Sequence, residues 1–231
     1  MTFPIFRMIP PSARAAALAV LLTACGGPDT PKVADGSRAS ILPAPLILVV
    51  GTSLTAGLGL DPSDAYPALL QRKIDSAGLN YLVVNRGVSG ETSAGALQRV
   101  DWLMRQPVAV LVLETGGNDG LRGLDPDSLR ANIEAIVRRA RRQAPPPSVL
   151  LLGMEAPPNL GSEYDARFRS AYRDAARELG VPLVPFLLAG VGGVDSLNQA
   201  DGIHPTAAGQ RRVADLVWKA LQPLLDRSAA P

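Results

Sequence analysis

A hydroxyl, an imidazole and a carboxylate stand in this sequence at positions that invite chemistry. Ser53 lies in "GTSLTAG" (residues 51–57), directly after the apolar run "PLILVV". His204 lies in "DGIHPTAAG" (residues 201–209), with Asp201 three residues before it. A serine on a tight turn after a strand offers an exposed hydroxyl. An imidazole can take its proton as general base and later protonate a leaving group. A carboxylate at that spacing can reach the other ring nitrogen and stabilise the imidazolium. The chain has a single histidine, so any imidazole base in it is His204. Two further polar segments are "NRGVSGET" (residues 85–92) and "TGGNDG" (residues 115–120). The backbone N–H groups of Ser53 and Gly90 and the side-chain amide of Asn118 can donate to a developing oxyanion. Glycine at position 90 permits close backbone approach. Together these groups form a parts list for acyl transfer through an acyl-enzyme. Singly, each segment is also ordinary turn composition, and Ser53 on its own reads equally as a turn residue.

Positioning these groups requires elements that end near one another. From Leu46 onward, apolar runs alternate with helical patterns. Strands are expected at residues 46–50, 81–85, 108–114, 148–154 and 181–186. Amphipathic helices are expected at residues 64–78, 92–106, 125–143, 163–180 and about 206–225. The strands are apolar throughout rather than alternating, which implies cover on both faces. Regular alternation of strand and helix implies parallel strands with right-handed crossovers. The expected fold is α/β: one three-layer α/β/α domain with a five-stranded parallel sheet, flavodoxin-like in topology. In such sheets ligands bind beyond the carboxyl ends of the strands. The first three polar segments each follow a strand, and "DGIHPTAAG" precedes the final helix.

The N-terminal stretch reads differently. Residues 1–24 carry Arg7 and Arg14, no acid, and the apolar run "AAALAVLLTA", too short to span a bilayer. This fits a secretory leader. The leader ends in "LTAC", which resembles the lipobox of bacterial lipoproteins, with Cys25 as the acylated residue. That resemblance implies export and a lipid anchor in the bacterial cell envelope. An ordinary cleaved signal and an uncleaved interfacial helix are the alternatives. Residues 25–45 are Pro-, Gly- and Ser-rich and read as a flexible tether; residues 46–228 read as the folded domain.

Composition removes several function classes. The formal net charge is +2, and losing Arg7 and Arg14 with the leader leaves about zero. Nothing then attracts nucleic acid over the whole surface. The run Arg138, Arg139, Arg141, Arg142 reads as a solvated helix end favoured by the macrodipole. One cysteine and one histidine exclude Cys/His metal clusters. No phosphate-loop, no G-x-S-x-G elbow and no dinucleotide fingerprint is present.

Taken in order, the four segments resemble the blocks of the SGNH (GDSL-type) hydrolases. "SLTAGLGL", "VVNRGVSGETSAGAL", "VLVLETGGNDGLRG" and "DGIHPTAAGQ" are closest to the acyl-CoA thioesterase I/arylesterase/lysophospholipase branch. The resemblance spans residues 46–225. It implies Ser53 as nucleophile, Asp201 and His204 as its partners, and Gly90 and Asn118 in the oxyanion hole. It also implies no metal, no organic cofactor, and small-molecule or lipid esters as substrates. Thr52 departs from the pattern, since the family usually has Asp there. A threonine hydroxyl is expected to accept backbone N–H bonds at the following turn in its place, more weakly than a carboxylate. The alternatives are an O-acetyl esterase of envelope polysaccharide and a non-catalytic lipid- or glycan-binding lipoprotein. The sequence sets no oligomeric state.

Overall fold

Strand β1 (Leu46–Gly51) is buried along its whole length, because it lies inside the sheet and its residues are apolar on both faces. The computed structural model describes residues 44–228. The leader, the tether up to residue 43 and Cys25 lie outside the described residues. The sheet has five parallel strands: β1, β2 (Leu82–Gly87), β3 (Val110–Glu114), β4 (Ser148–Leu152) and β5 (Leu183–Val184), in the order β2-β1-β3-β4-β5. The register sets Leu48 between Val84 and Leu111. The chain leaves β1 for β2 on one side and then returns to β3 on the other. The topological switch point therefore lies between β1 and β3, and a crevice opens at their carboxyl ends.

Helices join the strands and cover the sheet. They are α1 (Ser53–Ala56), α2 (Tyr66–Ser76), α3 (Ser93–Leu103), α4 (Gly117–Leu121), α5 (Pro126–Ala140), α6 (Ser162–Leu179) and α7 (Ala207–Ser228). Asp125 caps α5 by accepting from the Ser128 N–H at 3.1 Å, with Pro126 at the first helical position. α3, α5 and α6 pack side by side, and α2 packs on α7. The arginine run at the end of α5 is taken up locally. Arg139 and Arg142 both pair with Asp101, Arg138 pairs with Glu134, and Arg141 donates to the Leu179 carbonyl.

Three expectations change. β2 is not covered on both faces: it is an edge strand, and Leu82 is 51% exposed. β5 shrinks to two residues because Pro182 and Pro185, which flank it, have no N–H to give a ladder. The short helices α1 and α4 are absent from a periodicity reading, since four or five residues span barely one turn.

Candidate active site

Ser53 is the first residue of α1, immediately after β1 and its cap residue Thr52. The turn closes at Gly57, whose φ of 74° places it in the left-handed region. Other elements hold this turn from outside. Asn85 of β2 donates to the Thr55 carbonyl at 2.8 Å, and Gln210 of α7 donates to the Leu54 carbonyl at 3.1 Å.

His204 arrives from the opposite end of the chain. Its Nε2 lies 2.8 Å from Ser53 Oγ, and its Nδ1 lies 2.6 Å from Asp201 Oδ2. Asp201 Oδ1 accepts the main-chain N–H groups of Ile203 at 2.9 Å and His204 at 3.0 Å. These bonds have a direct electrostatic result. The His204 N–H, then the His204 ring, then the Ile203 N–H hold the Asp201 carboxyl well below the usual carboxylate range. The loop itself is pinned by Gln199. Its N–H donates to the His204 carbonyl at 2.7 Å, and its side chain donates to the Leu58 carbonyl at 2.8 Å, beside the Ser53 turn.

The donors converge on the same cleft. Neither the Ser53 N–H nor the Gly90 N–H has a protein acceptor among the described residues. Asn118, on α4 just after β3, gives one amide N–H to the Glu91 carbonyl at 2.9 Å. A primary amide keeps a second N–H for a ligand. Gly90 has a φ of 79°, and a Cβ there would meet only Arg122 Nη2 at 3.9 Å. Within the protein, backbone conformation rather than crowding calls for glycine here.

Buried polar bonds lock the loops after β2 and β3 together. Asp119 accepts the Ser93 N–H at 2.8 Å and the Ser93 hydroxyl at 2.5 Å, and Asn132 donates to that hydroxyl at 2.9 Å. Glu91 pairs with Arg99 at 2.7 Å, and Arg99 also donates to the Arg86 carbonyl. Sequence reasoning missed Ser93 and Asp119, because their pairing crosses 26 residues and neither belongs to a hydrophobic pattern.

Gly116 is a stricter case. Its φ is 94°, and a Cβ would run into the Tyr172 hydroxyl and come within 2.7 Å of Leu129 Cδ1. That hydroxyl donates to the Thr115 carbonyl at 2.8 Å. Gly116→Ala is expected to cost about 2–4 kcal/mol, because strain and overpacking coincide. Thermal unfolding should show Tm lowered by about 5–15 °C. An unchanged Tm would contradict this packing.

Thr52 does not do what the sequence suggested. Its side chain makes no cap bond to the following turn. It is 2% exposed and faces inward, where its hydroxyl donates to Glu114 Oε1 at 2.9 Å and lies 3.0 Å from Oε2. Its main-chain N–H donates to Glu114 Oε2 at 2.6 Å. The pairing of β1 with β3 sets the end of β3 beside Gly51 and so brings the carboxyl beneath Thr52. The sequence contains one signal for Glu114: an acid closing an otherwise apolar strand.

The cleft over Ser53 has a volume of about 650 Å³. Leu58, Leu121, Met154, Phe186, Leu188 and Ile203 give it apolar walls. A second depression of about 610 Å³, between α2 and α7, is lined by Arg72, Lys73, Arg211 and Asp215 and holds none of these site residues. The first cleft joins a polarised hydroxyl, unpaired N–H donors and an apolar wall, which suits addition to the carbonyl of an acyl group.

Comparison with known proteins agrees in kind. Residues 49–212 match the profile of the GDSL-like Lipase/Acylhydrolase family. The chain is 46% identical over 183 residues to Esterase TesA of Pseudomonas aeruginosa, covering 79% of this chain and 90% of the relative. It is 38% identical over 188 residues to Thioesterase 1/protease 1/lysophospholipase L1 of Escherichia coli K12, covering 80% and 88%. The crystal structure of TesA superposes with a TM-score of 0.74 at 47% identity, covering 78% of this chain and 99% of that one.

Proposed function

The chain belongs to the GDSL-like lipase/acylhydrolase (SGNH) family and is a carboxylic ester hydrolase of the esterase/thioesterase type; from this premise we propose that Ser53 is its nucleophile. The observation that carries the reading is the line Ser53 Oγ, His204, Asp201, closed at 2.8 and 2.6 Å at the sheet's switch point. Ser53 Oγ attacks the acyl carbon while His204 Nε2 takes its proton. Asp201 at Nδ1 stabilises the imidazolium. The oxyanion falls among the N–H groups of Ser53 and Gly90 and the Asn118 amide. Collapse expels the alcohol or thiol, which His204 protonates. Water then attacks the acyl-enzyme with His204 as base, and the acid leaves.

The cleft supports medium-chain acyl esters and lysophospholipids as substrates. Its volume is of the size that takes a drug-like ligand, far more than an acetyl group fills, and its walls are apolar. A panel of p-nitrophenyl esters from acetate to laurate, with an acyl thioester and a lysophospholipid, tests this. kcat/KM should rise from acetate toward the medium chains. A sharp optimum at acetate would instead favour removal of O-acetyl groups from envelope polysaccharide. No turnover on any ester, with saturable binding, would favour a non-catalytic lipoprotein. Asn118→Ala should lower kcat about 10²–10³-fold with KM little changed, as expected for a donor that acts mainly in the transition state. The leader supports a place in the cell envelope, held by acyl chains on Cys25; metabolic labelling with a radioactive fatty acid should be lost in Cys25→Ala.

A further inference from the structure

The cleft over Ser53 has a charge as well as a shape. It runs across the strand tips, from Ser89 and Gly90 after β2, past Ser53 after β1 and Asn118 after β3, to the loops after β4 and β5. Those last loops supply Met154, Ala156, Pro157, Pro158, Phe186 and Leu188. An acyl chain removes most apolar surface from water at that end. Among these apolar side chains stands one carboxylate, Glu155. Apart from His204, no other titratable side chain lines the cleft among the described residues.

The fold leaves this charge largely uncompensated. Glu155 is exposed and makes no hydrogen bond among the described residues. Its ion-pair partner, Arg169, lies 4.0 Å away, beyond hydrogen-bond range, and is held instead by Asp165 at 2.7 Å. An open pair at that separation gains little. Arg122 stands at the other end of the cleft, where it donates to the Gly90 carbonyl at 3.0 Å. Asp201, the other acid of the site, is turned to His204. The end of the cleft beyond β4 and β5 is therefore apolar with a negative charge set into its wall.

We propose that Glu155 is a specificity-determining residue that sorts acyl groups by charge. It admits uncharged and cationic acyl chains and turns away chains that end in a carboxylate, such as the half-esters of dicarboxylic acids. The inference rests on Ser53 as nucleophile and on the medium-chain reading of the cleft. Its basis is Coulombic. Charges that meet beside an apolar wall interact more strongly than in bulk water, because the effective dielectric is lower. Desolvation penalises an anionic and a cationic tip alike, whereas Glu155 acts on the two with opposite sign.

Three p-nitrophenyl esters of similar acyl length test the idea: the octanoate, the suberate half-ester and the 6-(trimethylammonio)hexanoate. Their tips are neutral, anionic and cationic. Dividing each kcat/KM by that of octanoate in the same protein cancels any uniform loss. Glu155→Gln keeps the shape and removes the charge. It should raise the relative value of the anionic ester about tenfold and lower that of the cationic ester about tenfold. Glu155→Lys should move both further in the same directions, about 10²-fold in all. Opposite movement of the two relative values supports the proposal. Unmoved values overturn it, and so does movement of both in one direction, which would mean a reshaped cleft. The levels below it fail differently. Octanoate hydrolysis that survives Ser53→Ala defeats the nucleophile assignment, and turnover of acetate without turnover of octanoate defeats the medium-chain reading and this inference with it. Charge ratios indifferent to residue 155, in a protein whose octanoate hydrolysis Ser53→Ala abolishes, defeat this inference only.

Discussion

Ser53→Ala and His204→Gln should each lower kcat for a p-nitrophenyl ester by about 10⁵–10⁶-fold, and the double variant should be no worse than either alone. The non-additivity is the informative part. A hydroxyl 2.8 Å from an imidazole nitrogen acts as one unit with it: without the base the hydroxyl is a weak nucleophile, and without the hydroxyl the base has no proton to take. Residual turnover above water should remain, because the Ser53 and Gly90 N–H groups and Asn118 still line the cleft. No other imidazole can substitute, because the chain has only one histidine. Stopped-flow measurement of the p-nitrophenol burst checks the assignment. Both single variants should lose the burst, and either one retaining it at the parental rate would refute the pairing.

Asp201→Asn should cost about 10⁴-fold in kcat, although the Asp201 side chain is 45% exposed. The reason is a forced tautomer. Oδ1 already accepts two main-chain N–H groups, from Ile203 and His204. An asparagine must keep its carbonyl there, so its NH₂ is turned to His204 Nδ1. Nδ1 then has to accept, the ring proton moves to Nε2, and Nε2 can no longer take a proton from Ser53. The same bonds determine the pH behaviour. They hold the Asp201 carboxyl well below its ordinary range, so it stays ionised across the acid limb of kcat/KM. Folding stability follows the usual sign for a lowered carboxyl pKa. The contribution of Asp201 is fully present above the unfolded value of about 3.9 and is lost as pH falls below it. The stability difference between parent and Asp201→Asn should therefore shrink below about pH 4, as urea unfolding at several pH values can show.

The site divides into what neighbours in sequence make and what distant segments make. Asp201 and His204 lie three residues apart, and a turn brings a carboxylate to an imidazole at that spacing without help from the rest of the chain. Ser53 was legible because an apolar strand runs straight into a glycine-flanked hydroxyl. Gly90 and Asn118 followed from the strands they succeed. The Ser93–Asp119 lock and the Glu114 clamp were not legible. Each joins segments 26 and 62 residues apart through polar side chains, which carry no periodicity.

Thr52 shows the limit most sharply. From its neighbours alone, a threonine before a tight turn accepts that turn's N–H groups, which is the expectation here. The sheet decided otherwise: pairing of β1 with β3 set an acid beneath it, and a buried acid binds the donors within reach. The sequence by itself determined the α/β alternation and the parallel sheet and singled out the candidate reactive groups, because periodicity and local spacing encode them. Tertiary structure alone decided which side chains Thr52 and Asp119 meet, and how large and how apolar the cleft is. Those properties depend on strand order and register, which bring together residues that share no local pattern.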